Sequence, residues 1–459
     1  MPFQDPGSFR DPSGHVYHDD GRVLRTINEF YREDWEAADR SGLLGVLKEK
    51  GQLVGYREIQ ALQGSWKTLD VDVIPWLSYP YEWSFAQLKD AALLTLAIQK
   101  EALARGMVLK DASAYNVQFY GTRPVFIDLL SFEIREPTAP WQAYRQFCMH
   151  FLAPLAVGYY EPRLSRLSAL WIDGIPLDIA WNMLPGRAAL SGGLQMHLNL
   201  HAKAERKYSD ARTAAGKIKN VKLSTQSLLD LADSLVRTVQ SLAAAQKTGE
   251  WTDYYSDTNY TETAEQAKRD IVARAAAQYG GDKGVAIDLG ANTGRYSTIL
   301  ADSFPQVIAA DIDAQAVSEH YMRLKKDGNT KILPLVLDLA NPSPGIGWAC
   351  RERASWVRRG KANLISALAL SHHLYFTNGI PWSKQAAFFA ETLRDSGTLI
   401  LEFVPAGDSQ VERLLAARDN IFTDYSPEGL LSAFAPFFLL QEVVPLPESS
   451  REMFIFSKK

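Results

Sequence analysis

One stretch, residues 285–296, constrains the fold of this chain more than any other. It opens with an apolar run of strand length, Val285–Leu289, interrupted only by Asp288. Turn-forming residues then stand at alternate positions before a helical pattern begins; they are Gly290, Asn292 and Gly294. A glycine turn between a strand and a helix lets a ligand approach the backbone, and the first turn of the helix offers free N–H groups. The stretch therefore predicts a ligand-binding loop in an α/β domain.

Further apolar strands follow this loop, and polar residues stand at their carboxyl ends. They are predicted at Val307–Ala310, Ile332–Leu337 and Leu364–Leu370. Asp311 follows the first of them, Asp338 the second, and His372 and His373 stand just after the third. Asp311 lies 23 residues after Asp288, close to the roughly 20 expected for an acid that binds ribose hydroxyls. Because ligands of open α/β sheets bind at the carboxyl ends of the strands, we expect these side chains to surround one ligand.

The loop pattern D-x-G-x-N-x-G departs from the dinucleotide-binding pattern G-x-G-x-x-G. It resembles motif I of class I S-adenosylmethionine (SAM) methyltransferases. Three more predicted strands complete the seven-stranded, Rossmann-like sheet of that family, the last two as an antiparallel pair; they are Thr398–Val404, Phe437–Val444 and Glu452–Phe456. The resemblance implies SAM as cofactor. It assigns the methionine part to Asp288, Gly290, Asn292 and Gly294, the ribose to Asp311 and the adenine pocket to Asp338. Loop capping is the structural alternative for each of the three acids.

Candidate residues around the transferred methyl group follow from the same resemblance. Tyr255 or Tyr260, upstream of the loop, would cover the sulfonium, because an aromatic face attracts a cation; a plain core role is equally open. His372 or His373 would act as a base, since histidine titrates near neutrality. Capping the end of the strand is their structural alternative. Glu402, at the end of the fifth strand, is a further catalytic candidate.

The first two hundred residues carry a second pattern. Asp111 stands in Lys110-Asp-Ala-Ser-Ala-Tyr-Asn116, and Asp128 follows the short apolar run Val125-Phe-Ile. The spacing resembles the catalytic core of protein kinases and aminoglycoside phosphotransferases, where the first Asp orients the acceptor hydroxyl while the Asn and second Asp bind magnesium. The chain lacks a glycine-rich loop there, and Arg25 is the nearest stand-in for the strand lysine. A retained fold whose acids only hold loops together is the alternative to phosphotransfer.

Periodicity gives the remaining elements of this half. A hairpin is predicted over Gly14–Arg25 with Asp20-Gly21 as its turn. A single helix is predicted over Ile27–Lys50, then an irregular stretch up to Tyr79, then an amphipathic helix over Phe85–Arg105. Near the other end, the basic stretch Arg351–Lys361 is typical of a solvated helical face, and contact with an anionic substrate is its alternative.

Length and charge limit the remaining possibilities. A chain of 459 residues exceeds one core, so we predict a kinase-like α+β domain (1–200), a helical connector with cofactor lid (201–275) and an α/β methyltransferase domain (276–459). The net charge of −4 argues against nucleic acid as a partner. Cys148 and Cys350 are expected to be buried free thiols. With neither a signal pattern nor an apolar run long enough to span a bilayer, a cytoplasmic location is expected.

The whole chain is similar to a family of nodulation-associated SAM methyltransferases from bacteria. Three segments carry the similarity: Tyr79–Trp83, Leu109–Asn116 and Leu370–Leu374. This similarity implies methylation of a small molecule, a saccharide or another secondary metabolite, with the kinase-like domain positioning substrate or regulating. Two alternatives stay open: a bifunctional enzyme that also phosphorylates with ATP and magnesium, and a catalytically inactive adaptor.

Overall fold

The chain folds into two compact units. The computed structural model describes residues 2–203, 223–243, 260–279, 284–415 and 424–459, so the candidate Tyr255 lies outside the described residues. Unit 1 consists of Met1–Gln246 together with Ile346–Arg353, and unit 2 of Lys247–Gly345 together with Ala354–Lys459. The predicted domain boundaries near residues 200 and 275 remain predictions.

Unit 1 combines antiparallel strands with helices. Its strands are β1 (Phe3–Gln4), β2 (Val16–Asp19), β3 (Arg22–Ile27), β4 (Tyr56–Ile59), β5 (Lys67–Val71), β6 (Met107–Leu109), β7 (Val117–Tyr120), β8 (Arg123–Phe126) and β9 (Phe132–Ile134). Its α-helices are α1 (Arg32–Arg40), α2 (Leu43–Glu49), α3 (Phe85–Leu103), α4 (Tyr144–Phe147), α5 (Ala153–Tyr160), α6 (Leu177–Met183), α7 (Gly192–Leu194) and α8 (Thr225–Ser241). The first five strands form one sheet in the order β1-β2-β3-β5-β4, and β6–β9 and β7–β8 form separate pairs.

The structure confirms some local predictions in unit 1 and corrects others. The hairpin is confirmed: Asp19 pairs with Arg22, and both turn residues have positive φ, as a tight turn of this kind requires. The long helix α3 is also confirmed. The single helix over Ile27–Lys50 is wrong, because Gly42 adopts a left-handed backbone that separates α1 from α2. The stretch up to Tyr79 is not irregular throughout, since it contains β4 and β5.

Unit 2 contains the predicted sheet. Its strands are β10 (Val285–Leu289), β11 (Gln306–Asp311), β12 (Ile332–Val336), β13 (Ala362–Ala367), β14 (Leu393–Phe403), β15 (Phe438–Pro445) and β16 (Glu452–Lys458). Its α-helices are α9 (Glu262–Tyr279), α10 (Arg295–Ser303), α11 (Ala314–Lys326), α12 (Trp356–Arg359), α13 (Trp382–Thr392), α14 (Ser409–Leu415) and α15 (Pro427–Phe434). Short 3-10 and π-helical turns occur in both units, among them Pro80–Glu82, Ala114–Asn116, Trp348–Cys350 and His373–Thr377.

The sheet of unit 2 has the order β12-β11-β10-β13-β14-β16-β15. Its first five strands are parallel to one another, and β16 runs antiparallel to both β14 and β15. The seven-stranded methyltransferase layout with its closing antiparallel pair is therefore confirmed. Strands β10–β13 are buried almost throughout, which explains their continuous apolar runs.

The structure corrects three further predictions, which concern the fourth strand, the basic stretch and the cysteines. The fourth strand ends at Ala367, so His372 and His373 stand several residues later, where the chain has turned into a helix. The basic stretch Arg351–Lys361 is helical only over Trp356–Arg359, and Trp356 is buried. Both cysteines are free, but only Cys148 is buried, since Cys350 is exposed. In the described ranges, no helix is long and apolar enough to cross a membrane.

Candidate functional site

The loop after β10 has the backbone that its composition predicts. Gly290 has a φ of +73° and Asn292 a φ of +48°, and the asparagine is among the residues that tolerate this left-handed region. The N–H groups of Gly290 and Ala291 donate to the carbonyl of Ala310 at 2.9 and 3.1 Å. The loop is thus fixed to the end of β11, next to the strand from which it leaves.

Gly294 is required by space as well as by conformation. Its φ is +82°, and a Cβ at this position would come within 1.8 Å of the His320 imidazole. His320 lies in α11 and is buried, and burial lowers the pKa of its imidazole to about 3. Helix α10 begins immediately afterwards, at Arg295, so the N–H groups of its first turn lie beside the loop.

Asp288 is a fully buried carboxylate at the end of β10. Its Oδ2 accepts a hydrogen bond from Ser297 Oγ at 2.6 Å. Burial raises the pKa of the Asp288 carboxyl to about 6, although the hydrogen bond from Ser297 favours the ionised form. The protein therefore keeps a carboxylate in an environment that opposes its charge.

Asp311 ends β11 and holds the neighbouring turns. Its two oxygens accept the N–H groups of Asn292 and Asp313 at 2.7 and 2.9 Å. Burial raises the pKa of this carboxyl to about 6 despite these hydrogen bonds. Asp311 therefore connects the glycine loop with the start of α11.

Several of the predicted site residues line one cavity of about 470 Å³ in unit 2. The predicted residues that line it are Tyr260, Asp288, Gly290, Asn292, Asp311, Asp338 and His373. Gly294, His372 and Glu402 are not among its lining residues. The three acids that we expected around one ligand are thus brought together, although their individual contacts with SAM remain predictions.

The cavity wall is net negative. Four carboxylates line it, from Glu265, Asp288, Asp311 and Asp338, together with the two cations Lys268 and Arg295. Arg295 forms an ion pair with Glu265, and Lys268 is paired with Glu402 at 2.6 Å. An excess of negative charge in the wall, two of whose carboxylates are buried, suits a ligand that carries positive charge.

Comparison with known proteins places the whole chain. No family model matches it. Over 462 residues it is 33% identical to nodulation protein NoeA of Rhizobium meliloti (strain 1021), a match that covers 98% of this chain and 95% of NoeA. The chain belongs to the NoeA family. With the strand order and the cavity described above, this NoeA-family chain is a SAM-dependent methyltransferase.

Solved structures are similar to part of the chain. One is the N-methyltransferase NodS from Bradyrhizobium japonicum WM9, with 13% identity and a TM-score of 0.33, which covers 43% of this chain and 97% of NodS. Another is magnesium protoporphyrin IX methyltransferase (ChlM) from Synechocystis PCC 6803 with bound SAH, with 16% identity and a TM-score of 0.34, which covers 46% of this chain and 93% of ChlM.

The two candidate histidines of this NoeA-family chain occupy different places. His373 lines the cavity, whereas His372 is buried, and their ring centroids are 4.1 Å apart. Burial, together with the positive charge of Arg451, lowers the pKa of His373 to about 4. Burial also holds the pKa of His372 well below its usual value. Both imidazoles are therefore neutral at physiological pH, and His373 can accept a hydrogen bond from a ligand hydroxyl.

Glu402 belongs to a buried ionic network that sequence patterns did not predict. Its carboxylate is paired with Lys268 and with Arg451, at 2.6 and 3.5 Å. The Tyr260 hydroxyl donates to Glu402 and accepts from Lys268 (3.1 Å) and Arg451. Arg451 also forms a two-pronged pair with Asp408, at 2.7 and 3.1 Å. These contacts hold Glu402 ionised, and its catalytic role remains a prediction.

The same network surrounds the ring of Tyr260. The Lys268 ammonium is 4.7 Å and the Arg451 guanidinium 4.6 Å from the ring centroid. Lys268 stands in a charged helix and Arg451 after a serine turn, patterns that are ordinarily solvent-exposed. No sequence signal separates them from surface cations, which explains why they were missed.

In unit 1, the structure gathers the residues of the kinase-like pattern. Asp128 Oδ1 accepts from Arg25 at 3.1 Å, and its Oδ2 accepts from Ser131 Oγ at 2.5 Å. Asn116 donates to the same serine at 3.3 Å. Burial, with the nearby charge of Asp128, raises the pKa of Asp111. The predicted stand-in, Arg25, thus meets the second acid directly.

Proposed function

We propose that this protein transfers a methyl group from SAM to a small-molecule or saccharide acceptor, with SAM held in the cavity of unit 2. The observation that supports this most is the convergence of Asp288, Asp311 and Asp338 on one cavity at the ends of three adjacent parallel strands. Such an edge is where open α/β sheets bind their ligands.

The cavity residues fit SAM chemically. Asp311 and Asp338 would accept hydrogen bonds from ribose and adenine, and the loop from Gly290 to Gly294 would hold the methionine part. The two buried acids with pKa values near 6 would be kept ionised by a cationic ligand. SAM supplies a methyl group already activated by its sulfonium charge. The protein mainly has to align the acceptor with it, which can contribute several kcal/mol to catalysis.

His373 is the residue that we propose to orient the acceptor. It lines the cavity, and a neutral imidazole can accept a hydrogen bond from a hydroxyl group. The Glu402 carboxylate already binds Lys268, Arg451 and the Tyr260 hydroxyl. We therefore propose that Glu402 holds these side chains in place and does not remove a proton.

We further propose that unit 1 positions or regulates rather than phosphorylates. The donor set fits ATP and magnesium poorly, because both oxygens of Asp128 are already bound, one by the Arg25 guanidinium. Lys110 donates to Ser13 at 2.8 Å and lies 3.5 Å from Asp11, so the amino-terminal segment already satisfies it. Measuring magnesium-dependent ATP turnover tests this: turnover that disappears in Asp128→Ala would establish the bifunctional alternative.

Methyl transfer is tested with methyl-labelled SAM and a panel of saccharides, amino sugars and phenols. We expect label to enter one acceptor class with the intact protein, and not with Asp311→Asn. Incorporation that is equal in the two proteins would place the reaction elsewhere. An intact protein that does not bind SAM would support the adaptor alternative.

A further inference from the structure

Between β12 and β13 the chain forms a hairpin arm, residues 343–356. At its base, which belongs to unit 2, the Trp356 N–H donates to the Ser343 carbonyl at 2.9 Å. Further along, Ile346 and Arg353 exchange two backbone hydrogen bonds of 3.0 and 3.1 Å. The tip, Ile346–Arg353, belongs to unit 1. The arm is thus a short antiparallel ladder whose base belongs to unit 2 and whose tip belongs to unit 1.

Glu352 anchors the tip through a nearly buried ion pair. Its side chain is 1% exposed, and its oxygens accept two hydrogen bonds from the Arg10 guanidinium, at 2.6 and 3.0 Å. The Trp348 N–H donates to the same carboxylate at 3.1 Å. The hydrogen bonds and the positive charge of Arg10 hold the pKa of Glu352 below its usual range against the effect of burial. Two-pronged pairs of this kind are strong and geometrically specific.

A second anchor joins the tip to the motif segments of unit 1. The Arg353 guanidinium lies 4.5 Å from the centroid of the Tyr115 ring, within the range of a cation–π contact. Tyr115 in turn meets Tyr79 and His150 edge-on, with centroids 6.0 Å away in each case. The segments Tyr79–Trp83 and Leu109–Asn116 therefore meet where the arm is held.

The chain just before the arm lines the cofactor cavity. Asp338, Leu339 and Ala340 are lining residues. Asp338 closes a tight turn there: its carboxylate accepts the Ala340 N–H at 2.9 Å, and its carbonyl accepts the Asn341 N–H at 3.1 Å. One residue separates Asn341 from Ser343 at the base of the arm. A displacement of the arm is therefore transmitted to this wall through very little intervening chain.

We propose that Arg10 and Tyr115 are positioning residues for the SAM site, which fix the wall from Asp338 to Ala340 by holding the tip of the arm. The inference rests on the proposed function, because it takes the cavity as the place where SAM binds. If anchoring favours SAM binding, SAM must favour the anchored arm by the same factor, since coupling between sites is reciprocal.

Calorimetric titration of SAM into full-length variants tests the coupling. Arg10→Ala leaves a buried, unpaired carboxylate, so the tip is released and the Kd for SAM rises about tenfold. Arg10→Lys recovers part of the loss. The matched control is Arg163→Ala, which removes an exposed ion pair with Glu161 in the same unit (2.7 Å) and leaves the Kd unchanged. An Arg10→Ala protein whose Kd stays within about twofold of the original overturns the inference.

Hydrogen exchange of the intact protein gives an independent readout that needs no variant in the arm. We expect SAM to slow exchange of the Ile346 and Arg353 amides, and to leave it unchanged in Asp311→Asn. If the intact protein binds SAM but these amides exchange at the same rate, the coupling is absent although the proposed function stands. If the intact protein does not bind SAM, the proposed function itself fails.

Discussion

At the residue scale, Asp288 and Asp311 belong to the candidate site but lower the stability of the folded protein. Each carboxyl is buried at the end of a strand, and burial raises both pKa values to about 6. A group whose pKa is higher in the folded than in the unfolded chain destabilises the fold wherever it is ionised. The unliganded protein therefore carries, near neutral pH, a free-energy cost that a cationic ligand would relieve.

Replacing Asp288 by asparagine separates stability from binding. The native pKa of about 6 exceeds the ordinary value of 3.8, so the penalty grows as pH rises from about 4 to 6 and reaches about 3 kcal/mol near neutrality. We expect Asp288→Asn to melt at a higher temperature than the original protein at pH 7.5 and at a similar temperature at pH 4. SAM binding should weaken at the same time. A lower melting temperature at pH 7.5 would contradict this description of the site.

The same two carboxyls predict how SAM binding depends on pH. Below about pH 6 they are protonated in the unliganded protein, and a cation must displace those protons to bind. The affinity for SAM should therefore fall, for each carboxyl that must lose its proton, by up to about tenfold for each pH unit below 6, and it should level off above 7. Calorimetry from pH 5 to 8 measures this directly. An affinity that is constant over the whole range would show that neither acid is coupled to the ligand.

At the scale of elements, the close contact between Gly294 in the glycine loop and His320 in α11 fixes the position where α10 begins. Gly294 combines a left-handed backbone with contact against His320, so strain and steric overlap would act together in a substitution. These two effects can be distinguished, because the chain contains a glycine with similar backbone geometry but open space around it.

Gly294→Ala and Gly328→Ala form that matched pair. Gly328 has a φ of +65° and open space, with no atom within 4 Å of the point where a Cβ would stand, so its alanine variant suffers only backbone strain, about 1 kcal/mol. Gly294→Ala must also displace the His320 ring, and we expect a loss of roughly 3 kcal/mol or more. Urea unfolding measures both. Equal losses in the two variants would mean that the ring moves aside freely.

The ionic network behind the cavity predicts non-additive losses. Lys268→Met leaves the Glu402 charge buried with one partner fewer, which should cost about 3 kcal/mol. Glu402→Gln should cost a comparable amount by leaving Lys268 unpaired. In the double variant neither charge remains unpaired, so the loss should be smaller than the sum of the two by about 1 kcal/mol or more. Additive losses in a denaturant-unfolding cycle would show that the pair contributes no coupling.

Elements whose burial is continuous could be predicted from the sequence. Strands β10–β13 are buried on both faces, and their uninterrupted apolar runs revealed them. Strand β4 could not, because its residues Tyr56–Ile59 are half-buried or exposed and charged in the middle. The break between α1 and α2 at Gly42 could not be predicted either, because a glycine within an apolar periodic pattern does not by itself indicate a left-handed turn.

The candidate site divides in the same way. The acids at strand ends and the loop glycines were predictable, because the parallel sheet brings successive strand ends to one edge. Lys268 and Arg451 were not, since only long-range packing decides that these charges are buried. Cys350 was expected to be buried but is exposed on the arm, and this difference also depends on long-range packing.

At the scale of the whole molecule, the chain carries a methyltransferase sheet and a second unit whose kinase-like identity remains a prediction. The Arg25–Asp128 pair and the arm anchors give unit 1 a structural role that does not require phosphotransfer. We therefore expect ATP and magnesium to leave the affinity of the intact protein for SAM unchanged. Calorimetry of SAM binding with and without both measures this, and a clear change in Kd would indicate that unit 1 responds to nucleotide.

The central claim is that the cavity formed by Asp288, Asp311 and Asp338 binds SAM. Isothermal titration of SAM into the intact protein and into Asp311→Asn tests it most directly, with Asp327→Asn as a control at an exposed acid of the same unit. We predict micromolar binding by the intact protein and by the control. Binding should be at least about tenfold weaker in Asp311→Asn, because the substitution impairs both the loop hydrogen bonds of Asp311 and the ribose contact that we propose for it. Equal binding by all three proteins, or none by the intact protein, would contradict it.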